Sequence, residues 1–306
     1  MKRIFVLLLA LLAVAGCDKV LEPEPDEHPV PETVIEAVVE QFPGATNLTL
    51  QTLQADAFYA AEFWVQAQHY QAIISQDGSF QELNLELPVN DLTPNGLDFI
   101  THQFQTPAIQ SLYAQLDPGT QTRKGYLVKT IGAGKEYLLK LDTLGARISM
   151  MEVPVSPWWR REVANIGALP QNIQTVLLSQ IGYLLHDANW FVDSNRVSTW
   201  QAAIRNSNFL TTYRFDASGN VVSSVSEDLL ALDAPNTTFL ELDVTSLPTV
   251  MSNFLHARFA GWTYHRGILI LQNNSPNGFS VMIRVNQALY YTRFDISGNF
   301  IGATRG

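Results

Sequence analysis

Two heptapeptides constrain this chain more than any other feature: Arg214–Asn220 reads RFDASGN and Arg293–Asn299 reads RFDISGN. Internal copies of this kind indicate that one structural unit has been used more than once. Each heptapeptide follows a helix-opening proline at nearly constant distance, Pro170 before Gly219 and Pro248 before Gly298. Pro94 stands in the same relation to Gly145 in KLDTLGA, and Pro31 to Gly78 in SQDGSF. The spacing predicts four units.

Within each unit the apolar pattern changes period. Three residues after the prolines stand Val34, Leu97, Ile173 and Met251; six after stand Ala37, Ile100, Val176 and Phe254. Proline costs nothing at a helix start, where its missing N–H would have no partner, and spacings of three to four place one stripe against a core. Units one and four add matching helix exits, FPGA at 42–45 and FAGW at 259–262. Farther along, alternation takes over, as in Tyr59, Ala61, Phe63 and Val65 against Phe58, Glu62 and Trp64, which predicts strands with one buried face. The Asp and Gly between alternating runs form hairpin loops, so Gly78, Gly145, Gly219 and Gly298 are structural turns that need positive φ. Arg214 with Asp216, Arg293 with Asp295 and Lys140 with Asp142 each share one strand face. DISGN supplies too few alternating oxygen ligands for a calcium loop.

The expected fold is therefore α+β, with tandem repeats of one helix followed by three to four antiparallel strands. These pair into larger antiparallel sheets with helices on one face, as 31–155 and 163–306, joined by a linker at 156–162. VPETVIEAVVEQFPGA, followed by alternating strands and a D-G or D-x-x-G hairpin, resembles the PepSY-like, beta-lactamase-inhibitor-like modules of exported bacterial lipoproteins. The resemblance spans about 28–306; unit two lacks the FPGA exit and inserts DPGTQTRKG. It implies helix-plus-sheet units, no catalytic residues, and binding or inhibition of another protein.

The N-terminus carries an address. Lys2 and Arg3 precede the apolar run Ile4–Ala15, too short to span a bilayer and shaped like a secretory signal. It ends in VAGC, which resembles a lipobox in which Cys17, the single cysteine of the chain, is acylated after removal of residues 1–16. Residues 17–30 are rich in acid and proline and read as an extended tether. Without Lys2 and Arg3 the chain holds 17 Lys and Arg against 29 Asp and Glu, a balance of −12 that excludes nucleic acid as a partner.

No local pattern carries chemistry. TIGAGKEY lacks the spacing and Ser/Thr of a phosphate loop and reads as a strand–turn–strand. The six histidines show no metal-ligand spacing, so neither metal nor cofactor is expected. SPWWRRE at 156–162 is the densest cluster of interface-type residues. Trp158, Trp159, Arg160 and Arg161, with Trp64, are candidate contacts to an unknown protein or peptide partner, or else packing residues of the linker. The functional expectation is a noncatalytic, lipid-anchored envelope protein binding through a sheet face. The alternatives are a hydrolase of an envelope polymer, whose carboxylate pair would leave no local signature, and a structural or assembly role.

Overall fold

A computed structural model describes residues 29–104, 106–153, 158–180, 182–193 and 196–306. Cys17, segment 1–16 and nearly all of the tether lie outside the described residues. Helix α1 (Glu32–Gln41) precedes β1 (Thr46–Gln54), β2 (Phe58–Val65), β3 (Gln68–Ser75) and β4 (Phe80–Leu87). Helix α2 (Pro94–Gln103) precedes β5 (Ala108–Leu116), β6 (Arg123–Gly132), β7 (Lys135–Asp142) and β8 (Arg147–Glu152). Then come β9 (Trp158–Glu162), α3 (Gln171–Leu178), β10 (Leu184–Asp193), β11 (Ser198–Asn206), β12 (Phe209–Phe215) and β13 (Val221–Asp228). The chain ends with β14 (Thr237–Leu242), α4 (Thr249–Arg258), β15 (Thr263–Gln272), β16 (Ser275–Val285), β17 (Ala288–Phe294) and β18 (Phe300–Arg305). Among the described residues the fold is mostly antiparallel sheet with four α-helices. Among the described residues no helix is long and apolar enough to cross a membrane.

The sheets do not divide the chain at its middle. One sheet has thirteen strands, running β1 to β8 in order and then β18, β17, β16, β15 and β14; the other has five, in the order β13-β12-β11-β10-β9. The expected pairing of 163–306 into one sheet is thus corrected: its second part joins the first half of the chain, and its first part forms a sheet of its own. The seam is one parallel register, Thr304 with Arg147. Side chains reinforce it. The Tyr290 hydroxyl donates to Asp142 Oδ2 at 2.8 Å, and Gly302 lies so close to Phe99 of α2 that a Cβ would stand 2.8 Å from its ring. Burial and the Asp142 carboxyl beside it push the Tyr290 phenol well above its ordinary value.

The predicted linker is also corrected. Residues 158–162 form β9, paired with β10 from Trp158 opposite Asp193 to Glu162 opposite Asn189. A strand is favoured here because the Trp159 side chain covers apolar residues of the larger sheet. Trp159 packs with Leu53, Ala60, Ile73, Trp190 and Val192.

Three helices build the outer cores of the large sheet. Val34 and Val38 of α1 pack on Tyr59, Ala61, Phe63 and Ile74. Phe99 and Ile100 of α2 pack on Leu112, Val128 and Leu139, and Met251 and Leu255 of α4 on Val281, Ile283 and Phe294. Helix α3 does the same for the small sheet, through Ile173 and Leu177 on Ala188, Ala202 and Phe215. Pro31, Pro170 and Pro248 are N-caps, whereas Thr93 caps α2 by accepting from Gly96 N–H, so Pro94 is the first helical residue. That one-residue offset moves Leu97 off the buried stripe, where it is 47% exposed, and gives its place to Gly96.

The expectation of one buried face per strand also changes. The small sheet lies against the inner face of the large one, so central strands are covered on both sides. Tyr59, Ala61 and Phe63 of β2 pack toward α1, while the intervening Ala60 packs with Trp190 and Val192.

Candidate functional site: the space between the two sheets

The predicted turns set the geometry of this space. Gly78, Gly145, Gly219 and Gly298 have φ of 84°, 81°, 81° and 81°. The preceding aspartates close the loops, as where Asp216 Oδ1 accepts from Ser218 and Asn220 N–H at 2.9 Å each. Five residues before each glycine stand Ile73, Lys140, Arg214 and Arg293. All four belong to the inner side. Ile73 packs with Trp190, Lys140 bonds Asp187, Arg214 of the small sheet lines a cleft against the large one, and Arg293 lines a cavity at the end of β13.

A chain of buried charges holds the sheets in register. Arg160 of β9 bonds Glu82 of β4 at 2.6 Å, with 3% and 6% of the two side chains exposed, and its other nitrogen bonds Asn189 Oδ1. The Glu162 N–H donates to the same carboxylate of Glu82. Asn189 Nδ2 donates to Asp187 Oδ2 at 2.8 Å, and Ser149 Oγ to the same atom at 2.6 Å. Lys140 Nζ closes the chain, 3.1 Å from Asp187 and 2.7 Å from Glu162. Two cations thus serve three carboxylates, and each carboxylate is bonded to a cation or to backbone N–H. Such a network orients the sheets. Each acid is held by bonds to a cation, a side-chain donor or a backbone N–H.

Burial pushes the Asp187 carboxyl upward, but Lys140, Ser149 and Arg160 outweigh it and hold the group below the usual carboxylate range. The same contest, won by Lys140 and Arg160, lowers Glu162. Burial moves His186 downward, and its Nε2 lies 2.9 Å from the Ile148 carbonyl. A depressed carboxyl stabilises the fold above its unfolded pKa and loses that contribution as pH falls through its folded value. Stability is therefore expected to decline below about pH 4 from these two acids, and earlier from His186 as pH falls below about 6.5. Urea melts from pH 8 to 3 check this, and Asp187→Asn should flatten the acid limb.

The residues proposed from sequence separate here. Arg160 is interior and cannot reach a partner; Arg161 lies over the Phe58 ring at 4.0 Å. Trp159 donates through Nε1 to Gln51 Oε1 at 3.0 Å, and Trp158 begins β9. Trp64 keeps an exposed aromatic face, stacked on His69 with 4.8 Å between ring centroids. Among the described residues no group of three or more His, Cys, Asp or Glu could hold a metal.

Sequence reading missed a cleft of about 380 Å³ between β7 and β8 on one side and β11 to β13 on the other. Its lining includes Tyr137, Met150, Met151, Arg214 and Val225. Tyr, Met and Arg are types enriched at interfaces. Part of β8 borders it with an edge that β18 leaves unpaired, and side chains of the small sheet cap that edge: His186 at Ile148 and Gln201 Nε2 at the Glu152 carbonyl, 3.0 Å away. Above the cleft, β13 is the free edge of the small sheet, with Val222 60% and Val225 69% exposed.

No protein-family model matches the chain, and no curated protein matches it. Solved structures that align with parts of it include a BLIP-like protein from Bacteroides fragilis, at 16% identity over 43% of this chain and 92% of that one, with TM-score 0.36. A DUF2874 family protein from Bacteroides uniformis aligns at 7% identity over 64% of this chain and 88% of that one, with TM-score 0.19. A protein from Bacteroides eggerthii, provisionally described as periplasmic, aligns at 9% identity over 65% and 91%, with TM-score 0.23. At scores this low the likenesses carry no argument about partner, activity or compartment.

Proposed function

We propose that the chain is a noncatalytic, lipid-anchored envelope protein that binds an extended segment of a partner protein along β13. The open edge of β13 carries this reading. Its sequence VVSSVSED has no Pro or Lys, the residues that usually blunt an edge strand, and its valines project into solvent. An added strand would gain main-chain hydrogen bonds from the edge, and alternate side chains would enter the cleft beside Met150, Met151 and Tyr137. In this reading the body is four copies of a PepSY-like unit. It is held to the membrane by acylated Cys17, and 17–30 is the tether.

The test has two arms. Cys17→Ser should move the protein from the membrane to the soluble fraction of the envelope; full membrane retention would remove the anchor. Val222→Lys with Val225→Lys should leave the melt within about 0.5 kcal/mol of the parent, because both positions are exposed. Partners captured by the parent from native envelope should then be lost. Capture of the same partners by both proteins would refute binding at β13.

A further inference from the structure

A small cavity of about 80 Å³ lies on the seam of the large sheet, bounded by α2, β8, β17, β18 and the end of β13. Two guanidinium groups line it, Arg147 of β8 and Arg293 of β17. Arg147 is 2% exposed and bonds Glu227 through Nη2 at 2.9 Å. The Nε atoms of both arginines are buried without a hydrogen-bond partner. Glu227 is the single carboxylate in the lining and is itself half exposed. Its neighbour Asp228 is engaged by the N–H groups of Leu230 and Leu232 at 2.9 and 2.8 Å. Burial holds the Arg293 guanidinium below its ordinary value; Arg147 acts in the same direction, and Glu227, Asp228 and Asp233 act against it. A buried Arg147 and a half-buried Arg293 thus line a cavity whose one lining carboxylate, Glu227, is loosely held.

We infer that this cavity is a binding site for a small oxyanion of the phosphate or sulfate type. A guanidinium presents a planar fork of donors that matches such an ion, and the buried N–H groups gain partners only if an acceptor enters. The volume admits one tetrahedral ion with little water and excludes a nucleotide or a sugar. The exposed side chains of His102, Gln103 and Glu227 form the mouth, so the ion reaches the arginines from solvent. Glu227 occupies one end of Arg147 and competes with the incoming ion. The same arginine motif that opens the hairpin RFDISGN thereby acquires a ligand.

The experiment is calorimetric titration of the full-length protein with inorganic phosphate, and separately with sulfate, against chloride at matched ionic strength. One saturable site is expected. Arg293→Gln should weaken it about tenfold or more by removing a charge-assisted partner. Glu227→Gln should tighten it about threefold or more, since a like charge leaves the cavity. Heats for phosphate and sulfate that match chloride would overturn the site, as would an unchanged affinity in Arg293→Gln. Should Arg293→Gln fail to fold, unchanged or weakened binding in Glu227→Gln would overturn it equally.

Discussion

Arg160→Ala is expected to destabilise the protein by about 3–5 kcal/mol, the cost of stranding a buried carboxylate and amide that had a cationic partner. Glu82 and Asn189 would both lose bonds that bulk water cannot replace, because each is almost fully enclosed. The companion variant separates this from lost packing. Arg160→Met together with Glu82→Leu removes both charges and should recover part of the loss, since apolar residues can substitute for a buried ion pair while Asn189 Oδ1 and the Glu162 N–H still lose their partners. Urea midpoints for the two singles and the double complete the cycle. A loss below ~1 kcal/mol for Arg160→Ala would show that water reaches Glu82 and that the network does not seal the sheets. Partners captured unchanged by a destabilised Arg160→Ala would place this residue in the internal interface alone.

The second large effect is expected at Gly145. Its φ of 81° disfavours any side chain, and a Cβ there would overlap Thr93 Oγ1 and stand 2.6 Å from Gly96 N. Those two atoms form the cap of α2. Gly145→Ala should therefore combine backbone strain, steric overlap and loss of a cap, about 2–4 kcal/mol together. Gly134 has a similar φ of 76° with nothing within 4 Å of its Cβ position, so Gly134→Ala should cost about 1 kcal/mol. Gly298→Val meets Val250 and Met251, side chains that can move, and should fall between the two. Equal melts for Gly145→Ala and Gly134→Ala would show that the turn of β7 and β8 does not bear on α2.

The antiparallel sheet and the four helices were legible from sequence because their signals are local. A capping residue, a proline and a period of two or 3.6 need only neighbouring positions. The partition of strands between sheets was not legible. The Arg147 and Thr304 pairing is decided by which edges remain free after every hairpin has formed, and no window of sequence contains that information. Segment 156–162 misled for a related reason: five residues of WWRRE show too little alternation to separate a strand from a packed linker. The inner lining was half legible. Lys140, Arg214 and Arg293 could be placed on one strand face with the following aspartates, yet what that face meets depends on a second sheet. A cation recurring five residues before a turn glycine, on otherwise apolar strands, was the available signal for a charged space between sheets.

The seam between β8 and β18 also orders events in time. Strand β18 completes a sheet whose first strand begins at Thr46, so the two halves of that sheet cannot meet until β18 itself has been made. Loop closure over so many residues is slow and gains nothing until the final contact forms. Meanwhile the edge of β8 would stand open as a template for another chain. The five-stranded sheet precedes β18 in the chain, and its His186 and Gln201 already bond that edge. Its position in the order of synthesis lets it act as a guard for an unfinished sheet, present before the strand that will close the seam has emerged.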